Sequence, residues 1–382
     1  MTTPLDSDAI IIGAGIAGTS VAYFMSPHAK VRVLEREAHP GVHSTGRSAA
    51  LFSETYGPPQ VRALTRASRA FFEQPPHGFV ENPILTPRGS LIVGPSEHAA
   101  EIEALHEAIL PLMPSVRLLV QHEIRAIVPV LEPPFAGIGL LEPDAADIDV
   151  HGLHQGFIRG LKSRGGDLVC NADIRSIERA QDRWHVDTGT QLFRAPLLIN
   201  AAGAWVDEIA AQAGVAPIGI EPRRRSAFLF APPAGMPTAH WPFVVAADES
   251  FYFKPDAGMM LGSPANADPV LPQDVQPEEM DIALAIDRIE AATSMRIDRP
   301  MRAWAGLRSF VADGDLVGGF ARDAPEFFWV AALGGYGIQT SAAMGEACAN
   351  LALGRALPAH IADQGLAPAM LAVRATSANF PH

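Results

Sequence analysis

Cysteine is nearly absent: Cys170 and Cys348 are the only two in 382 residues, and they form no paired motif. Neither a disulfide framework nor a zinc site is indicated. Positive charge is also short, since 29 lysines and arginines face 42 aspartates and glutamates and leave a formal charge of −13. That balance opposes polyanions, so nucleic acid and anionic membrane surfaces are not expected partners. No apolar run approaches the roughly 18–20 residues of a membrane span, so no integral membrane segment is expected. The N-terminus lacks a basic-then-apolar leader and carries Asp6 and Asp8 instead, which makes a cytoplasmic address the expectation. The Gly-x-Ser-x-Gly elbow of a serine hydrolase is missing too. His151 and His154 stand three apart with nothing nearby to complete a metal set, so no metal is expected. What remains is 48% apolar and 19% charged residues, the balance of a compact globular chain, at a length that suits two intertwined domains.

The strongest positive signal comes at once. Asp8-Ala9-Ile10-Ile11-Ile12 runs into Gly13-Ala14-Gly15-Ile16-Ala17-Gly18, and Glu35 follows a second apolar run, Val31-Arg32-Val33-Leu34. Gly13 makes the tight turn off the strand, Gly15 lets backbone approach a pyrophosphate, and Gly18 lets the next helix lie close to the sheet. The helix N-terminus then offers free N–H groups to the phosphates. Glu35 lies 22 positions after Gly13, near the ~20-residue offset of a carboxylate that binds ribose hydroxyls. A bound adenine dinucleotide is the first conclusion.

A polar loop, Gly41-Val42-His43-Ser44-Thr45-Gly46-Arg47-Ser48, follows. Periodicity predicts helices over 60–72, over 96–113 with a serine cap, and over 153–161. Leu197-Leu198-Ile199-Asn200-Ala201-Ala202-Gly203 reads as a second buried parallel strand ending in glycine. Between 218 and 310 the texture changes to antiparallel strands, with a hairpin turn at Pro255-Asp256-Ala257-Gly258. The chain then reverts to a buried strand, Phe327-Phe328-Trp329-Val330-Ala331, before Gly334-Gly335-Tyr336-Gly337 opens a helix over 339–347. A second glycine-to-helix junction suits a cofactor that is bound at both ends, which tips the reading to FAD. The expected fold is α/β (α+β): a Rossmann-like FAD-binding domain, discontinuous over 1–80, 145–215 and 318–382, and a substrate domain on a mostly antiparallel sheet over 81–144 and 216–317.

Taken together, the fingerprint, the His43–Ser48 loop, Asn200-Ala201-Ala202-Gly203-Ala204-Trp205 and Gly334-Gly335-Tyr336-Gly337-Ile338-Gln339-Thr340 resemble the D-amino acid oxidase and dehydrogenase superfamily of flavoproteins. The likeness covers essentially the whole chain and is closest to the bacterial D-arginine dehydrogenases, through 249–270 and 304–315. By that resemblance FAD, bound noncovalently, would be held by Gly13, Gly15, Ala17, Gly18, Glu35 and Arg36, by Ser44, Thr45, Arg47, Ser48, Ala49 and Ala50 of the loop, by Ile174, Ala202, Gly203 and Trp205, and by Gly306, Arg308, Gly334, Gly335, Tyr336, Gly337, Ile338, Gln339 and Thr340. Arg225 and Arg308 match the arginines that hold a substrate carboxylate, and Tyr252 and Tyr56 match residues that touch the substrate. Ser90, Leu51, Ser53, Phe243, Val245, Gly335 and Gln339 would complete its pocket.

The chemistry agrees with these residue types. A carboxylate in a water-poor pocket demands a cation of fixed geometry, and the planar fork of arginine holds both oxygens at once. Arg223 shares a strand face with Arg225, and Arg224 lies opposite. The resemblance implies hydride transfer from the Cα of a D-amino acid to flavin, giving an imino acid that water turns into a 2-keto acid and ammonia, with no general base assigned. Two departures bear on the substrate: Ser90 stands where the arginine-directed relatives have a glutamate, and Leu51 where they have a histidine. Loss of a buried carboxylate partner would cost a basic side chain about 3–5 kcal/mol, so neutral or hydrophobic D-amino acids are expected. Glu54, in the loop 53–59, is the acid that could turn inward and restore basic substrates. That loop, with Gly57 beside Pro58 and Pro59, reads as a lid, or else as the lead-in to a helix. Rival readings are a flavoenzyme for a secondary amine of the sarcosine or glycine type or for a 2-hydroxy acid, a nicotinamide dehydrogenase, and a non-catalytic FAD-binding protein. The electron acceptor, quinone-like or oxygen, stays open.

Overall fold

Ala9–Ile12, Val31–Leu34, Leu197–Asn200 and Phe327–Ala331 are apolar runs buried almost throughout, as parallel strands covered on both faces must be. In the computed structural model, which describes residues 3–324 and 326–374, they form the middle of a six-stranded sheet. Asp167–Val169 lies at one edge, beside Val31–Leu34, and Val317–Phe320 lies at the other, antiparallel to Phe327–Ala331. Residues 1–2, 325 and 375–382 of the expected cofactor-binding unit lie outside the described residues.

Two helices, Ile16–Met25 and Ser341–Ala352, cover one face and bury Ile11, Val21, Val33, Ile199, Phe328 and Met344 together. They touch through small residues: a Cβ on Gly345 would stand 2.6 Å from the Ser20 Cβ. Truncating a core ring such as Phe328 to alanine would cost about 3–5 kcal/mol.

The second sheet has nine strands. Glu221–Phe230 pairs from Glu221 to Leu229 with Arg302–Phe310, and on its other side with Met259–Ser263, which forms a hairpin with Tyr252–Asp256. Phe243–Ala246, Ser90–Gly94, Ile138–Glu142 and Arg117–Val120 continue the sheet. Register sorts its two faces. Phe228, Phe253 and Val244 share one, packed under Ile282 and Ile289 of the helix Glu279–Ala292. Alternation sends Arg225, Ala227, Tyr252 and Val245 to the other, which meets the first sheet where Gly334 N–H bonds the Ser309 carbonyl at 2.9 Å.

Some predicted boundaries moved. The helix expected over 96–113 is a single turn, Ser96–His98, followed by Ala99–Ile109 with no side-chain cap; it ends early because Pro111 has no N–H to continue the ladder. The helix expected over 339–347 starts later, at Ser341, and runs to Ala352. Pro59–Glu73 and Val150–Ser163 agree with expectation to within three residues at each end.

Candidate active site

One cleft runs from the glycine loop to the polar face of the nine-stranded sheet. At its near end Gly13 has φ +100°, and a Cβ there would stand 2.5 Å from the Ala201 carbonyl oxygen; one on Gly18 would stand 1.9 Å from that of Gly13. Only glycine fits either place. Thr45 Oγ1 accepts the Ile16 N–H at 3.0 Å. Glu35 accepts the Ala14 N–H at 2.8 Å and the Glu37 N–H at 3.0 Å, one on each oxygen, and each oxygen keeps a lone pair for a ribose hydroxyl. The Arg36 guanidinium lies 4.7 Å over the Trp205 ring. These groups form the cradle a dinucleotide requires.

Under this loop lies a residue the sequence did not single out for it. His154 is buried, with Nε2 2.9 Å from the Ala14 carbonyl oxygen, so Nε2 must carry the proton. Burial holds its pKa below the ordinary histidine value and keeps it neutral. His151, its expected companion, is exposed, and no metal-holding cluster exists among the described residues.

The polar loop closes the middle of the cleft. Ser44 Oγ donates to the Leu307 carbonyl at 2.7 Å, and Arg47 Nη1 donates to those of Val275 and Ala305, both at 3.0 Å. Arg47 also pairs with Asp274. Its guanidinium therefore ties the loop to the sheet.

At the far end the arginines divide. Arg223 pairs with Glu221 at 2.5 Å, and Arg224 with Asp281 at 2.9 Å and with Glu278. Arg225 and Arg308, which line the cleft, have no carboxylate partner among the described residues: Arg225 Nε donates to the Asn266 carbonyl at 2.6 Å, and Arg308 Nη1 to the Tyr56 hydroxyl at 2.9 Å. Burial, then the neighbouring Arg308 charge, lowers the Arg225 pKa, though a guanidinium stays charged all the same. Two cations facing one cleft form an electrostatically incomplete site. Tyr252, buried, stacks on Phe243 at 5.0 Å beside them.

The cleft walls bring together Arg225, Tyr252 and Arg308 with Gly13, Gly15, Ala17, Glu35, Arg36, Ser44, Thr45, Arg47, Ser48, Ala49, Ile174, Ala202, Gly203, Trp205, Gly306, Gly334, Gly335, Gly337 and Ile338. Other expected residues stand back from those walls. Gly18 packs beneath the glycine turn, and Ala50, at φ +60°, faces a neighbouring cleft shared with His154. Tyr56 reaches the site only through Arg308, and Tyr336 packs against Tyr56 at 5.0 Å. Thr340 Oγ1 donates to the Tyr336 carbonyl at 2.9 Å, and Gln339 bridges Ser53 N–H and Thr65 Oγ1 at 3.2 and 3.0 Å.

Three of the expected pocket residues lie near Tyr252 but off the cleft wall: Val245 is its register partner, Phe243 is stacked on it, and Ser90 pairs with Phe243. Leu51 is also off that wall, paired with Asp147 in a small three-stranded sheet. Ser53 is held by Glu142. The sequence leaves alternatives open for the loop 53–59, and the structure takes one of each. Glu54 points its buried carboxylate at Arg69, which also holds Glu73 at 3.0 Å. The lid is a helix lead-in: Pro59 is the first residue of its helix, and 53–55 are buried and hydrogen-bonded to Glu142. The fastening acid was missed because it reads as the plain end of an apolar strand.

Both cysteines stand off the cofactor cleft, Cys348 buried in its helix and Cys170 on the neighbouring cleft, which fits noncovalent binding. The family model for FAD dependent oxidoreductases, DAO, matches residues 8–351. The chain belongs to this family. FAD is accordingly its cofactor, and the glycine cradle, Glu35 and the second glycine junction fit that group. The N-methyl-L-tryptophan oxidase of Escherichia coli O81 (strain ED1a) is 26% identical over 216 residues, 55% of this chain. The chain thus spans 57% of the length of that relative. Among solved structures, glycine oxidase from Geobacillus kaustophilus superposes with a TM-score of 0.81 at 18% identity, covering 92% of this chain and 95% of that one. Iminodiacetate oxidase from Chelativorans sp. BNC1 does so with 0.78 at 20% identity, covering 91% and 96%. At such identities the likeness is one of fold. No described helix is long and apolar enough to cross a membrane.

Proposed function

We propose that this FAD-dependent oxidoreductase is a D-amino acid dehydrogenase that favours neutral or hydrophobic side chains. The observation that carries the reading is the pair of guanidiniums, Arg225 and Arg308, with no carboxylate partner among the described residues, at the far end of the cofactor cleft. Their forks donate to the substrate carboxylate, with the Tyr252 hydroxyl beside them, and hold its Cα in one orientation. Tyr56 fixes Arg308 from behind. FAD, held by the glycine cradle, would supply the acceptor for the hydride that leaves Cα. The substrate thereby becomes an imino acid, and water converts it to a 2-keto acid and ammonia. The amine proton leaves to water, and no general base is assigned to it.

Selectivity follows from what the pocket lacks. Beside Tyr252, Ser90 supplies no charge and Phe243 is apolar, Glu54 is already paired with Arg69, and the charge of the nearby Glu249 acts on Arg225, so among the described residues a guanidinium or ammonium side chain meets no acid there that an arginine does not already oppose. The likeness to D-arginine dehydrogenases in sequence supports the dehydrogenase assignment and leaves the basic substrate behind. The unpaired cysteines fit a reducing, cytoplasmic setting.

A second reading, oxidation of a secondary amine or of glycine, is favoured by the names of the relatives, which include N-methyl-L-tryptophan, glycine and iminodiacetate oxidases. One experiment separates the two. The yellow holoprotein is mixed anaerobically with D-leucine, D-phenylalanine, D-arginine, sarcosine and glycine, and bleaching near 450 nm is followed. Bleaching by the first two with release of ammonia supports the proposal; bleaching by sarcosine alone, with methylamine released, overturns it.

A further inference from the structure

Glu142 ends the strand Ile138–Glu142 and is 1% exposed. Its Oε2 accepts the Ser53 and Thr55 hydroxyls, both at 2.6 Å, and its Oε1 accepts the Glu54 N–H at 2.8 Å. No cation pairs with it among the described residues. A buried carboxylate without a counter-charge is a poor device for stability, since an apolar residue of similar size would avoid the desolvation altogether. What the carboxylate does, and leucine cannot, is accept three donors from three consecutive residues in one geometry. The next residue is Tyr56, whose hydroxyl takes the Arg308 hydrogen bond at 2.9 Å.

We infer that Glu142 is a positioning residue for substrate binding: its clasp on 53–55 fixes Tyr56, and Tyr56 fixes the orientation of the Arg308 fork. The chain of contacts is short and begins and ends on the nine-stranded sheet, at Glu142 and at Arg308 of the strand Arg302–Phe310. Glu142 belongs to the nine-stranded sheet, and Ser53 is fastened from the opposite side by Gln339, whose Oε1 takes the Ser53 N–H at 3.2 Å while its Nε2 bonds Thr65 on the helix Pro59–Glu73. The clasped residues therefore have little freedom, which suits a group that must meet a guanidinium at a set place. The inference rests on the carboxylate clamp proposed above.

The test uses the FAD-loaded wild type, Glu142→Leu, Glu142→Gln, and the double variant Ser53→Ala/Thr55→Val, which removes the two hydroxyl donors should Glu142→Leu not fold. Two readouts are needed. Hydrogen exchange of the 53–58 peptide reports the clasp without any substrate. Titration of the oxidised flavin with 4-methyl-2-oxopentanoate, the keto acid of D-leucine, together with anaerobic reduction by D-leucine, reports the clamp. In Glu142→Leu and in the double variant the peptide should lose protection, and the dissociation constants for both compounds should rise roughly tenfold or more, the scale of a misplaced binding group. Glu142→Gln still accepts the Glu54 N–H and can donate to a hydroxyl, so it should recover most of the affinity. Unchanged dissociation constants and unchanged exchange in the folded, FAD-loaded variants would overturn the inference. Lost protection with unchanged affinity overturns it equally, leaving Glu142 a structural fastener. A wild type that binds neither compound overturns the clamp on which the inference rests, a failure visible before any variant is made.

Discussion

Gly335 and Arg308 are fitted to one another: a Cβ on the glycine would stand 2.8 Å from both Cζ and Nη1 of the arginine. The guanidinium occupies the space a side chain would take, against backbone that follows the strand Phe327–Ala331. Glycine is required here for close approach, and its neighbour Gly334, at φ +51°, is needed for the turn itself.

Gly335→Ala should therefore displace the Arg308 fork without removing the cofactor cradle at the other end of the cleft. Flavin content should stay near wild type, and kcat/KM for D-leucine should fall on the order of tenfold or more, as a shifted binding group implies. Steady-state kinetics on protein of equal flavin content checks it. Full activity would mean that Arg308 can move aside at no cost to substrate binding.

Replacing either clamp arginine by lysine keeps a charge but removes the fork. For Arg225→Lys and for Arg308→Lys, kcat/KM should fall on the order of a hundredfold, near 2.7 kcal/mol at 1.36 kcal/mol per decade, because one point charge cannot hold two oxygens in register. Arg223→Lys is the control. Its partner is Glu221 rather than substrate, so its effect should be small, and an equal loss in all three would argue for a general electrostatic effect instead of a clamp.

Glu54 separates two accounts of side-chain selectivity. Its carboxylate is bound by Arg69, so Glu54→Gln should leave the ratio of kcat/KM for D-arginine and D-leucine unchanged. Stability should drop by about 1–3 kcal/mol through the weakened charge-assisted bond, seen as a lower midpoint in urea unfolding. A selective fall in D-arginine turnover would instead show that the acid turns inward when a basic substrate binds.

The sequence disclosed the parts of this molecule that obey local rules. Gly13 and Gly18 were legible because a tight turn and a close helix each demand one residue type at one spacing, and the contacts agree. The alternation that put Arg225 opposite Arg224 was legible for the same reason, and Arg224 indeed meets Asp281 and Glu278 on the helix-covered face. Contacts made across long separations left no such trace. Glu142 meets Ser53 across 89 positions, and His154 meets Ala14 across 140. Nothing in Ile138-Gly139-Leu140-Leu141-Glu142 distinguishes a solvated strand end from a buried clasp. Ser53, Ser90 and Gln339 were carried to the pocket by resemblance alone, and the fold gives them partners in the surrounding layer.

His154 provides the pH dependence. Burial depresses its pKa below the ordinary 6.5, so the folded protein holds it neutral with the Nε2 proton on the Ala14 carbonyl, whereas the unfolded chain protonates it as pH falls through 6.5. Between 6.5 and the lower folded value the unfolded state binds more protons, and stability must rise with pH across that window and be lost as pH falls through it. One such group contributes a slope of at most about 1.4 kcal/mol per pH unit. His154→Gln, which can still donate to the Ala14 carbonyl, should flatten the acid side of a plot of unfolding free energy against pH, from 6.5 downward. Because the Ala14 carbonyl belongs to the glycine loop, acidification of the wild type should also release flavin over the same range, and the variant should hold it. If the two proteins lose stability and flavin in parallel as the pH is lowered, the imidazole is not the group that titrates, and the support of the loop must be sought elsewhere.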